Sequence, residues 1–407
     1  MTPNAKALFE PIRIGNLYLP NKIALAPTYV GMGDQKGNVS DQSLCYYYAR
    51  AIGGVGLIIV EITGVTGLYA FSPGFGLGAA SDFHIPGLRD LAQVIHWGGA
   101  KAFLQLLPGQ GNQALQAQEK RPLISSSDVP AILPKEDLPE AINGLRDKNP
   151  ERPRPMTLNE IKELKLSVVR AAIRAKRAGF DGVELHGAHG YLLGQFTSPY
   201  FNRRDDEYGG TAEKRWRFSE ELIHAIKETI GPEFVVGYRF SAREWIPGGL
   251  DLLESLQMAK ALQKAGTDYL SVSHGCYGSV GRIFPRGEGS IVQDAASVQK
   301  EVAIPVMCPN FQDPAKAAEV VSNGSVAMVA LSRALLADPF WAKKVKEEKT
   351  DTIQRCIRCY QCVRAAIVDY LPVRCPVNPG LGFERFDPRF IPRPGSKPAS
   401  RKSVSRP

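Results

Sequence analysis

No stretch of this 407-residue chain approaches 18 uninterrupted apolar residues, which excludes the ordinary membrane-spanning helix. The first 25 residues lack a charged start followed by a continuous apolar run, so no signal peptide is expected and the chain reads as soluble and cytoplasmic. No basic stripe is interleaved with aromatics in the manner of a nucleic-acid surface. A net charge of +9 argues for such a surface only until its distribution is counted. Residues 386 to 407 hold Arg389, Arg393, Lys397, Arg401, Lys402 and Arg406 against Asp387 alone, so this tail carries +5 and the remainder is nearly balanced. Nucleic acid and membrane are therefore not expected partners. No G-x-G-x-x-G follows a strand, so the chain is not expected to hold a dinucleotide-binding domain of its own.

What the sequence does contain is an alternation of short apolar runs and amphipathic stretches. An apolar content of 44% suffices for a packed core, and 407 residues accommodate one (β/α)8 barrel with insertions. Ile12 to Leu19 alternates around Gly15-Asn16, which predicts a hairpin closing the bottom of the barrel. Strands are expected at Lys22–Ala26, Gly56–Glu61, Lys101–Leu106, Asp181–Leu185, Phe234–Arg239, Tyr269–Ser273, Ile304–Met307 and Val326–Ala330. The first helix is expected at Tyr46–Gly53, and the clearest amphipathic one at Thr157–Ala178, opened by Thr157 and Glu160 as a capping box. Eight β/α units favour closure into a barrel, although counting strands leaves an open doubly wound sheet available. Residues 108 to 156 break the rhythm with prolines and scattered charge, and so long a connection is usually functional or disordered.

The chain is organised around Gly179 to Arg217. A buried strand there runs into His186, His189 and Tyr191, and in a parallel barrel the C-terminal strand ends carry the active site. A phenol can give up a proton, and a neutral imidazole can donate a hydrogen bond to a carbonyl oxygen. The set suits addition of hydride and proton across a polarised double bond. A lone His or Tyr after a strand is more often structural, but the order of residues changes that weighting. HGAHGYL at 186–192, followed by Gln195-Phe196, SPYFN, an arginine, DEYGG and RWRF, resembles the signature of the Old Yellow Enzyme family of FMN-dependent oxidoreductases. That resemblance implies a TIM barrel in which His186 and His189 hold the substrate carbonyl and Tyr191 protonates the α carbon. It also implies that residues 108 to 156 form a lid shaping substrate access.

Carried over residue by residue, the resemblance puts Pro27 and Thr28 under the flavin ring and Gln105 and Arg239 at its pyrimidine edge. Strand eight runs into Leu331-Ser332-Arg333-Ala334-Leu335-Leu336-Ala337-Asp338-Pro339, similar to the family's phosphate loop, with Ser332 where the family has glycine. Strand seven ends in Cys308-Pro309-Asn310-Phe311 where the family has a Gly-Arg pair; Pro309 lacks an N–H, leaving the backbone of Asn310 and Phe311 as donors. Leu106-Leu107-Pro108-Gly109-Gln110-Gly111 also departs from the family pattern after Gln105. Tyr29 stands where the trimethylamine dehydrogenase branch carries a flavin-linking cysteine, so a dissociable FMN is expected.

Cys356, Cys359, Cys362 and Cys375 follow C-x2-C-x2-C-x12-C, which in an intracellular chain reads as metal ligation, a structural zinc being one option. Three close thiolates and a distant fourth followed by Pro376 match the spacing of cubane clusters. The iron–sulfur branch of the same family, which includes 2,4-dienoyl-CoA reductase and trimethylamine dehydrogenase, has this arrangement after its barrel, which implies a [4Fe-4S] cluster here. Cys45, Cys276 and Cys308 read as small buried apolar residues or substrate-loop residues. The expected division is an FMN-binding barrel at 1–345, a cluster segment at 346–385 and a basic, disordered tail at 386–407.

The branch's C-terminal nucleotide-binding domains are not in this sequence, so the expected electron donor is separate: NAD(P)H, a flavoprotein or ferredoxin. A homo-oligomer is compatible with the sequence. The leading functional expectation is an ene-reductase for an α,β-unsaturated carbonyl of enoate or enoyl-CoA type, with a small-molecule substrate. An amine dehydrogenase or N-demethylase is the second expectation, and a non-catalytic electron-transfer or assembly subunit the third. In the loop at 276 to 292, Arg282 and Arg286 are candidates for a substrate carboxylate or CoA phosphate.

Overall fold

The computed structural model describes residues 3–66, 76–114, 123–134, 138–145 and 150–392. Eight strands of its nine-stranded main sheet stand in barrel order: β1 (Ile23–Leu25), β2 (Leu57–Gly64), β3 (Lys101–Leu107), β4 (Gly182–Gly187), β5 (Val235–Ser241), β6 (Tyr269–Ser273), β7 (Val306–Pro309) and β8 (Met328–Leu331), with a two-residue strand at Leu77–Gly78 added beside β2. Each runs parallel to its neighbour in chain order, and β1 pairs with both β2 and β8. That double pairing closes the sheet and removes the doubly wound alternative. Nearly every strand residue is buried, as expected of a parallel sheet wrapped by helices. Helices follow the strands in turn, among them α1 (Asp41–Ile52), α2 (Ile85–Trp97), α3 (Leu158–Arg177), α4 (Ala212–Ile230), α5 (Leu252–Lys264), α6 (Val292–Glu301) and α7 (Pro314–Ser322).

The barrel interior is filled by Ala24, Leu57, Ile59, Phe103, Val235, Tyr269, Met307 and Met328. Ile14 and Leu19 of the N-terminal hairpin join this cluster fully buried, so the hairpin plugs the barrel as expected. Its turn places Gly15 at φ +54°, a conformation glycine adopts without strain. Among the described residues no helix is long and apolar enough to cross a membrane.

Three expectations require correction. The helix expected first, at Tyr46–Gly53, starts at Asp41 and follows a short helix at Pro3–Leu8; it starts early because Ser40 accepts a hydrogen bond from the Ser43 N–H at 3.2 Å and Asp41 favours the first turn. β2 continues past Glu61 to Gly64, because a register shift between Val60 and Thr63 lets pairing with β3 resume. The start of the expected tail is packed: 3₁₀ turns at Glu384–Phe386 and Pro388–Phe390 lie against α1, and Phe390 stacks on Phe340. A buried ion pair of 2.5 Å between Arg50 and Glu384 fixes that stretch to the barrel. Residues 393–407, with the remaining tail cations, lie outside the described residues. The capping box at Thr157 is present: Glu160 Oε2 accepts from the Thr157 N–H at 2.8 Å, and Thr157 Oγ1 accepts from the Glu160 N–H at 3.2 Å.

Candidate active site

The C-terminal strand ends open into one cleft with an empty volume of about 1160 Å³, its mouth included. All eleven residues expected at catalytic and flavin positions line it. Pro27 and Thr28 enter from β1, Gln105 from β3, and His186, His189 and Tyr191 from the end of β4. Arg239 comes from β5, Asn310 and Phe311 follow β7, and Ser332 and Arg333 follow β8.

The polar floor is held from inside the barrel by Glu184. Its two oxygens accept from Gln105 Nε2 at 2.7 Å and from the Tyr269 hydroxyl at 2.9 Å. With the Gln105 N–H committed downward, its carbonyl Oε1 is buried without a partner; Arg239 Nε and Arg333 Nη1 are buried and unpartnered as well. Buried polar atoms are normally satisfied, so one orphan acceptor and two orphan cationic donors around one cleft mark a site shaped for a ligand. The set fits FMN: an acceptor for the imide N–H, a guanidinium for the electron-rich pyrimidine edge, and a second guanidinium for the phosphate. Around the phosphate corner, Thr28 and Ser332 hydroxyls meet at 2.7 Å, and Arg333 Nη2 donates to Asn310 Oδ1 and Pro285 O, each at 3.0 Å. Asn310 adopts φ +75° and also donates to Gly287 O at 2.6 Å, so its side chain is fully engaged in shaping this corner.

Above the floor, the His186 ring lies 5.3 Å from His189 and 5.1 Å from Tyr191, centroid to centroid. Burial, reinforced by the Arg239 charge, holds both imidazoles well below the usual histidine range, so they are neutral near pH 7. Burial raises the Tyr191 phenol, while a hydrogen bond with Tyr277 opposes that rise. His189 is at φ +63°, with its N–H donating to Ser241 Oγ at 2.9 Å and its Nε2 against Ser273 Oγ at 2.7 Å.

The loop after β1 is pinned by a buried acid. Glu61 Oε2 accepts from the Val30 and Gly31 amides at 2.8 and 3.3 Å, and burial pushes its carboxyl from the ordinary 4.5 to about 8. The folded state therefore keeps a proton that the unfolded chain releases above about pH 4.5. This contribution to stability is complete below that pH and is lost as pH rises through about 8. Glu61→Gln should flatten the fall in Tm between pH 5 and 8.5, by roughly the slope of one proton; an identical pH profile in the variant would remove Glu61 from this role.

Gly111, where the loop after β3 leaves the family pattern, has a structural explanation. It sits at φ +60°, and a Cβ there would lie 1.9 Å from Gln195 Oε1. Gln195 in turn binds the Asn112 N–H, the Ser125 hydroxyl and the Gly190 carbonyl, tying the expected lid to the loop carrying Tyr191. The described parts of that lid include 3₁₀ turns at Gly111–Gln113 and Glu140–Leu145; residues 115–122, 135–137 and 146–149 lie outside them. Of the two loop arginines, Arg282 packs over the Trp245 ring at 4.4 Å, and Arg286 lines a separate outer groove.

The cysteine run forms a partition. Cys362, at the start of helix Gln361–Ile367, lines the central cleft beside Val363 and Ala366, whereas Cys359 and Tyr360 line the outer groove. The Arg358 N–H donates to Cys356 Sγ at 3.3 Å, with Arg358 and Tyr360 both at positive φ. Among the described residues, no group of three or more His, Cys, Asp or Glu is arranged to hold a single metal ion. Cys45, Cys276 and Cys308 are buried.

Sequence reasoning missed Glu184, Ser273 and Tyr277. Glu184 was within reach, since it stands two residues before His186 on the same strand and therefore on the same face. Ser273 and Tyr277 carry no local signal; they meet His189 and Tyr191 only through the pairing of distant strands.

Residues 7–352 match the model of a family described as NADH:flavin oxidoreductase / NADH oxidase. Among curated relatives, the chain is 39% identical over 382 residues to an NADH oxidase of Thermoanaerobacter brockii, covering 93% of this chain and 56% of that protein. It is 32% identical over 409 residues to a cinnamate reductase of Clostridium sporogenes, covering 95% of this chain and 59% of the other. The chain thus spans little more than half the length of these relatives. Among solved structures, a 2-naphthoyl-CoA reductase complex superposes with a TM-score of 0.83 at 27% identity, covering 94% of this chain and 58% of that one. Histamine dehydrogenase from Rhizobium sp. 4-9 gives 0.81 at 28% identity, covering 94% and 53%.

Proposed function

Since this chain belongs to the NADH:flavin oxidoreductase / NADH oxidase family, we propose that it is an FMN-dependent reductase of α,β-unsaturated carbonyl compounds, of enoate or enoyl-CoA type. The observation that carries this reading is the convergence of two neutral imidazoles and a phenol over an orphaned, flavin-shaped polar floor. When bound, FMN supplies the hydride taken up by the substrate β carbon. His186 and His189 hold the carbonyl oxygen by N–H donation, which stabilises the charge that develops there. If Ser273 donates its hydroxyl proton to His189 Nε2, the remaining ring proton resides on Nδ1 and can be given to that oxygen. Tyr191 gives its proton to the α carbon. Ile62, Ile283 and Phe284 supply apolar walls that keep water from the reacting bond.

The names of the relatives support a reductase of conjugated acids or thioesters, with NAD(P)H as the external donor. The likeness to an amine-oxidising enzyme keeps the second reading in view, but the cleft favours the first: no Asp or Glu is among its described lining residues to meet a substrate ammonium. We further assign Cys356, Cys359, Cys362 and Cys375 as ligands of a [4Fe-4S] cluster, which would pass single electrons between an outside donor and the flavin site. Anaerobic mixing separates the two readings. Reduced protein should be reoxidised by cinnamate or an enoyl-CoA, and oxidised protein should not bleach with trimethylamine; the reverse pattern would replace the reductase with an amine dehydrogenase.

A further inference from the structure

Tyr191 must be reprotonated once per turnover if it is the proton donor proposed above, yet it is only 8% exposed. Its hydroxyl lies 3.1 Å from that of Tyr277, with the two rings 6.0 Å apart, and Tyr277 is equally buried. The second phenol is not there by loose packing. Its N–H donates to Gln113 Oε1 at 3.0 Å, while Gln113 Nε2 donates to the carbonyl of His189 at 2.8 Å. A β-bridge between His189 and Cys276 ties the same two loops again. Tyr277 is thereby fixed relative to Tyr191 from both sides.

We propose that Tyr277 is the proton relay that refills Tyr191. As the Tyr191 O–H bond breaks, the α C–H bond forms. The electron pair left on the Tyr191 oxygen takes the Tyr277 proton, and Tyr277 takes one from water. One solvent proton is consumed per turnover and no phenol changes oxidation state. The relay rests on the reading of Tyr191 as proton donor, and Tyr277 is a positioning and relay residue that need not touch substrate.

The test uses the holoenzyme with cinnamate as probe. Tyr277→Phe removes one hydroxyl and keeps the ring, so steady-state reduction should fall at least about tenfold with a larger solvent deuterium effect. Unchanged values would overturn the relay. A readout independent of turnover is ¹³C NMR of ζ-labelled tyrosine, with the Tyr191 signal identified by its loss in Tyr191→Phe. The groups acting on Tyr191 are His186, His189, Arg239, Tyr277 and Tyr370. Without the Tyr277 hydrogen bond, which favours the ionised form, Tyr191 should titrate at higher pH; an unmoved titration would sink the proposal. If Tyr191→Phe reduces cinnamate as fast as the native chain, the proton-donor reading falls and takes the relay with it. If that variant is slow while Tyr277→Phe is normal, the relay alone falls.

Discussion

Tyr191→Phe should slow the reduction of an α,β-unsaturated substrate by roughly 10² to 10⁴, the usual worth of a positioned general acid, equivalent to about 3 to 5 kcal/mol of barrel-site catalysis. Reduction of the flavin by NAD(P)H should stay within about twofold of the native rate, because the phenol is not needed where no carbon is protonated. The arrangement makes this a clean subtraction. Tyr191 packs with Leu107 and Tyr277, and loss of its hydroxyl leaves those ring contacts in place. The bond to the Tyr277 hydroxyl is lost. Stopped-flow separation of the two half-reactions decides the matter. An undiminished oxidative half-reaction would exclude Tyr191 as the acid.

Cys362→Ala should abolish the iron–sulfur centre altogether. Native protein should carry about four irons per chain, and the variant close to none, since a cubane site missing one of its four thiolates is rarely retained. FMN should remain, because its expected contacts come from Gln105, Arg239, Asn310 and Arg333 on the barrel rather than from the cysteine segment. Cys362 occupies the wall between the central cleft and the outer groove, so its loss should also cut the rate at which a one-electron donor reduces the flavin. Hydride transfer from NAD(P)H directly into the cleft should be spared. Elemental analysis and flavin content read both arms. One zinc per chain in the native protein, or undiminished iron in the variant, would overturn the assignment.

The two predictions rest on different kinds of legibility. His186, His189 and Tyr191 are adjacent in sequence, and the cysteines are nearly so; both groups could be picked out because chemistry-bearing residues at short spacing survive any uncertainty about the fold. Gln105, Arg239 and Ser332 were placed by the family resemblance, which sets them at or just beyond the ends of strands that apolar periodicity marks out. The errors arose where periodicity has nothing to say. Ser40 was passed over as a cap because the apolar stretch begins later, and the register shift in β2 leaves no trace in hydrophobic order. The residues from Phe386 to Pro392 look like the basic tail that follows them. They are packed because Glu384 meets Arg50, 334 residues earlier, and Phe390 finds Phe340.

The sequence by itself determined the alternation of strand and helix, the chemical identity of the cleft and the thiol set, because each depends on residues near one another along the chain. Only the tertiary structure decided that the sheet closes, that Glu184 turns the Gln105 amide so that its oxygen is left for a ligand, and that Tyr277 stands behind Tyr191. Those facts depend on which strands become neighbours, and two hydroxyls separated by 86 residues come within a hydrogen bond of each other only once the barrel has closed.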